Sequence, residues 1–121
     1  MIIKEIDKAI GAHGMWKHRL KMAIETGEID TPAETIHMDN QCDFGKWLDG
    51  PTLTLTDKTS KNFKTVKELH EEFHKTAAQV AKLAVSGNEA EAEKMMSLGG
   101  EYSAISAKLT AAMMEWKKSF T

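Results

Sequence analysis

Five histidines and one cysteine are the side chains of this 121-residue chain best suited to hold a transition metal. His70 and His74 stand four residues apart, one turn of a helix, the separation at which two imidazoles on one face can grip a single ion. An HxxxH pair is common by chance, so the rest of the donor set matters. Cys42 lies near the expected start of a short helix, where unpaired N–H groups and the helix dipole favour a thiolate, the form of sulfur that zinc takes. His13 adds a third imidazole. Three histidines and one cysteine would make the tetrahedral N/S set of a closed zinc site, leaving no position for water. Zinc would need neutral imidazoles and a thiolate, so its binding should release protons and weaken as pH falls.

The elements that must position these groups follow from apolar spacing. Ile6, Ala9, His13, Trp16, Leu20 and Ala23 recur at alternating steps of three and four, which predicts a helix over about residues 3–26 with Gly27 as its C-terminal cap. A loop containing Pro32 follows. Asp39 or Asn40 could cap a short helix through Cys42, Phe44, Trp47 and Leu48, which Asp49-Gly50-Pro51 would end. Residues 52–56 alternate Thr and Leu, a run too short and isolated to imply a sheet. Ser60 is a second cap candidate, ahead of the cleanest seam: Phe63, Val66, His70, Phe73, Ala77, Val80 and Ala84, stopped by Ser86-Gly87. The pattern returns from Asn88 to about Lys118 through Ala92, Met95, Gly99, Tyr102, Ile105, Leu109, Met113 and Trp116, with Gly99-Gly100 expected to weaken or bend this helix.

Helices with one apolar stripe cannot bury it singly, so the fold class expected is all-α: an antiparallel four-helix bundle in which a short helix carries the cysteine. One domain over residues 1–121 fits this size. His13 and His70 occupy seam positions that call for an aliphatic residue, and a buried imidazole without a partner loses hydration worth about 1–3 kcal/mol. Gly45 would allow close backbone approach, while Phe44 and Trp47 could cover the site and exclude water. His18 and His37, the latter expected in a loop, match no ligand spacing and are expected at the surface.

Three motifs stand in order: His13-Gly-Met-Trp16, Cys42-Asp-Phe44-Gly45-Lys-Trp47 and His70-Glu-Glu-Phe73-His74. In this the chain resembles the chemoreceptor zinc-binding (CZB) domain family, and its length and helical layout are similar throughout. The resemblance implies a helical bundle holding Zn2+ through His13, Cys42, His70 and His74, with Trp16, Phe44, Gly45 and Trp47 around them. It also implies a homodimer in bacterial signalling that regulates a chemoreceptor or a diguanylate cyclase. From the chemistry of the sulfur, such a module is expected to respond to zinc availability or to oxidation of Cys42, since a sulfenic acid is a far poorer zinc ligand than a thiolate. No receptor signalling helix or cyclase domain is recognisable in the chain.

Composition narrows the alternatives. Sixteen Lys and Arg against eighteen Asp and Glu lack the basic excess that nucleic-acid binding needs. The N-terminal residues break their apolar run with charges, so neither a signal peptide nor membrane insertion is expected, and a cytoplasmic location fits. One cysteine excludes an intrachain disulfide. A cysteine hydrolase lacks a strand-turn-helix setting, and four protein ligands would close the metal to substrate, so no enzyme is expected. A hemerythrin-like di-iron oxygen-binding bundle would need further histidines and bridging carboxylates that the sequence does not offer. A structural bundle that binds another helix is the third reading.

Overall fold

The computed structural model describes residues 2–29, 33–38 and 42–120. These form seven helices: α1 (Ile2–Thr26), α2 (Ala33–His37), α3 (Asp43–Asp49), α4 (Leu55–Thr59), α5 (Lys61–Val85), α6 (Glu89–Met96) and α7 (Glu101–Lys118). Helix α5 is the spine, packed against α1, α2, α4, α6 and α7, with α1 also meeting α6 and α7. Its seam is the expected one. Phe63, Val66, His70, Phe73, Ala77, Val80 and Ala84 are all buried. Ser60 caps it, its hydroxyl accepting the Phe63 N–H at 3.1 Å.

On α1, Ile6, Ala9, His13, Leu20 and Ala23 face the core, whereas Trp16 is half-buried. Gly27 ends that helix in the left-handed region at φ 74°, where a side chain would be strained, and its N–H returns to the Ala23 carbonyl. The core is completed by Tyr102, Ile105, Leu109, Met113 and Trp116 on α7. An all-α bundle is therefore the architecture, built with more and shorter helices than the four that periodicity suggests.

Three local features differ from the spacing argument, each for a physical reason. The Thr/Leu alternation does not mark extended chain: Thr54 caps α4, its hydroxyl accepting the Asp57 N–H while the Asp57 carboxylate accepts the Thr54 N–H. This reciprocal pair satisfies two helix-end donors locally and outweighs a two-residue pattern with no sheet to join. Helix α2 is too short to show a period, and it buries Ile36 against α5. His37 is thus the exposed last residue of a helix rather than part of a loop. Third, the stretch from Asn88 to Lys118 is two helices, not one bent helix. Gly99 takes φ 85°, and the Gly100 N–H bonds back to the Ser97 carbonyl at 2.8 Å. The expected caps Asp39 and Asn40, like Pro32, lie outside the described residues; Cys42 itself is the N-cap of α3.

Gly100 is fixed by space as well as by the turn. A Cβ there would sit 2.4 Å from the carbonyl oxygens of Lys94 and Met95. Gly100→Ala should therefore separate α6 from α7 at their junction and cost about 1–3 kcal/mol, read as a lower urea midpoint at unchanged slope. An unshifted midpoint would mean that the junction yields freely.

Candidate metal centre

The long α1 and α5 bring His13 and His70 face to face across the core. One turn further along α5 lies His74, and the loop before α3 delivers Cys42 to the same point. His70 Nε2 is 3.1 Å from His13 Nε2, 3.1 Å from His74 Nε2 and 3.3 Å from Cys42 Sγ. One ligand atom from each of the four residues falls within 4.8 Å of every other. The three histidines are buried, His70 completely, and Cys42 is half-buried.

Backbone carbonyls decide which nitrogen faces the cluster. His13 Nδ1 lies 2.7 Å from the Ala9 carbonyl oxygen, and His74 Nδ1 lies 2.8 Å from that of Ile36. A carbonyl only accepts, so both Nδ1 atoms carry the hydrogen, and each neutral ring turns a bare Nε2 lone pair inward. His70 Nε2 holds at most one hydrogen for three electron-rich neighbours. Lone pairs this close repel unless a cation stands among them. Bonds of about 2.0 Å to nitrogen and about 2.3 Å to sulfur at tetrahedral angles separate nitrogens by about 3.3 Å and nitrogen from sulfur by about 3.5 Å. The three spacings from His70 Nε2 match those edges to within a few tenths of an ångström and the remaining pairs lie within 4.8 Å, so the donor set is gathered closely enough to serve a single zinc-sized ion. Among the described residues no carboxylate belongs to the group, so they offer none of the bridging ligands that a hemerythrin-like di-iron site requires.

Aromatic rings hold the imidazoles edge-on. Phe73 approaches His13 with ring centres 5.1 Å apart and His74 at 5.6 Å, while Phe44 meets His70 at 5.1 Å and His13 at 5.8 Å. Trp47 stacks on Phe44 and reaches Trp116, so it backs the site through Phe44. The Gly45 N–H points at Cys42 Sγ from 3.3 Å, a donor that favours negative sulfur. Trp16 lies beneath the Arg19 guanidinium, 3.8 Å from its ring centre. His18 and His37 are exposed, away from the cluster.

Sequence reasoning missed Ala9 and Ile36, because each contributes only a carbonyl. The single hint at Ile36 was an isolated apolar residue before His37.

Burial also sets the charge. It pushes the His13 imidazole down to about 4, against the opposing effect of the Ala9 carbonyl and with a smaller contribution from His74. His70 is lowered to about 2 by burial first, then by His74, His13 and Lys67. Both rings therefore stay neutral in the folded protein under conditions where an unfolded histidine, near 6.5, takes up a proton. The unfolded chain binds more protons, so the stability from these groups is full above pH 6.5 and is lost as pH falls from there toward 4. For metal-free protein, the unfolding free energy should drop between pH 7 and pH 5 by on the order of 1–2 kcal/mol per histidine, read as a lower urea midpoint. Equal midpoints would mean that the rings protonate in place.

A family model described as the chemoreceptor zinc-binding domain matches residues 13–81, more than half of the chain. Neither a curated protein nor a solved structure matches. The matched span opens at His13 and runs through Cys42, His70 and His74, the four residues whose ligand atoms converge. With that match, and with a helical fold that gathers a metal-binding donor set, the chain belongs to the CZB family of zinc-binding domains.

Proposed function

We propose that this chain is a regulatory zinc module in which His13 Nε2, Cys42 Sγ, His70 Nε2 and His74 Nε2 ligate one Zn2+ ion. The convergence of three inward-facing Nε2 atoms and one sulfur carries this reading. Bound zinc would supply a fixed cross-link among α1, α5 and the start of α3. Ala9 and Ile36 hold two of the imidazoles in the ligating tautomer, and Phe44 and Phe73 keep water from them. Gly45 orients the sulfur, Trp47 supports Phe44, and Trp16 walls the side of the site toward Cys42.

Regulation centres on α3. Seven residues do not make a stable helix alone, and this one is held by burial of Phe44 and Leu48 and by an exposed Lys67–Asp49 ion pair at 2.6 Å. The first contribution is about 1.5–3 kcal/mol per side chain and the second about 0–1 kcal/mol. A metal–thiolate tie at Cys42 is then a large share of what keeps α3 docked. Oxidation would cut it: a peroxide passes one oxygen to the thiolate sulfur and leaves as hydroxide, giving a sulfenic acid, a far poorer ligand. Release of α3 would change the surface offered to a chemoreceptor or cyclase partner.

No helix among the described residues is long and apolar enough to cross a membrane. A homodimer acting in cytoplasmic signalling is part of the same proposal. The module spans residues 1–121 as one domain and works by conformation rather than catalysis.

Protein purified without a histidine tag or chelator should contain one zinc per chain, and Cys42→Ala should weaken zinc binding by more than about a hundredfold. Irons, or no metal, would end this reading. Hydrogen exchange should show residues 43–49 losing protection when zinc is removed or Cys42 is oxidised; the same protection in all three states would overturn the release of α3.

A further inference from the structure

His70 and His74 are sealed in the core, but His13 and Cys42 also form part of the wall of a surface cleft of about 270 Å³ between α1 and the start of α3. Three further clefts, one along α1 and α7, one at the end of α1 and one between α1 and α6, contain none of the four ligands in their walls. Size limits what the first can take. Sites for drug-sized ligands run from about 300 to 1,000 Å³, whereas one water occupies about 30 Å³. The cleft therefore has room for a hydrated ion or a reagent of a few heavy atoms.

Its charge is balanced. Glu5 and Asp43 face Lys8 and Arg19 around it, so neither sign is strongly drawn in or rejected. Trp16, under the Arg19 guanidinium, gives it a firm apolar side. We propose that this cleft is the access route to the site: metal ions and small thiol-directed reagents reach Cys42 and His13 through it, and the metal leaves by it. The metal half of this proposal rests on the zinc reading above; the half concerning Cys42 does not.

Ala12 lies in the cleft wall and is exposed, so Ala12→Trp fills the space without touching the core. In metal-free protein, this variant should slow modification of Cys42 by iodoacetamide about tenfold. In zinc-loaded protein, it should slow zinc release into excess EDTA by a similar factor while leaving equilibrium zinc affinity unchanged, because the obstacle changes but the ligands do not. Ala107→Trp, in the remote cleft on α7, should leave both rates as they are. Circular dichroism checks the fold, and Ala12→Leu replaces Ala12→Trp if the larger side chain disrupts the helix. Unchanged rates in the folded Ala12 variant, or equal slowing in Ala107→Trp, would overturn the proposal. If the protein holds no zinc, the release experiment fails together with the zinc reading, and the alkylation rates alone decide whether the cleft is the route.

Discussion

Two imidazole nitrogens and one sulfur crowd to within hydrogen-bonding distance of a third imidazole nitrogen inside an apolar core. A cation bound there would relieve the repulsion among their lone pairs and tie together parts of the chain far apart in sequence. The other features around the centre make sense as means of holding polar donors inside an apolar core, two of them, His13 and His70, on seams that otherwise carry apolar residues. Helices α1 and α5 supply length and rigidity, so that residues 57 positions apart in sequence meet at 3.1 Å.

Two kinds of support keep the donors aimed. Carbonyl oxygens of Ala9 and Ile36 fix the hydrogens on the outer nitrogens, which leaves the inner ones able to bind metal. Rings of Phe44 and Phe73 then fill the space that water would otherwise take, and their burial keeps His13 and His70 neutral near physiological pH. The low dielectric that makes these imidazoles poor bases is what leaves them ready as ligands, since fewer protons compete for the same lone pairs.

The donors are not equivalent. The histidines are embedded in long helices with extensive packing, while Cys42 caps a seven-residue helix and stands half-exposed at a cleft. Chemistry at the sulfur therefore acts on the least anchored element. Such asymmetry would suit the proposed switch, in which a change at the sulfur reaches α3 while the core around α1, α5 and α7 keeps its packing.

Much of this was legible in the linear chain. The seam of α5 from Phe63 to Ala84 and the stripe of α1 from Ile6 to Ala23 follow directly from a 3.6-residue period, and Ser60 and Gly27 mark ends that their chemistry permits. His13 and His70 could be selected because histidines on an apolar seam violate the pattern that surrounds them, His74 because it stands one turn from His70, and Cys42 because it lies near the start of a short helix. Only tertiary structure decided the rest. That α2 buries Ile36 and turns its carbonyl to His74 depends on a contact 38 residues away, and a backbone oxygen has no residue type to betray it. The break at Gly99-Gly100 and the helix begun by Thr54 depend on local hydrogen bonds and close carbonyls that periodicity does not count. Sequence determines which side chains can bind a metal and which faces must be buried; it is the packing of helices that brings donor atoms to bonding distance, because that distance is set by contacts between residues far apart along the chain.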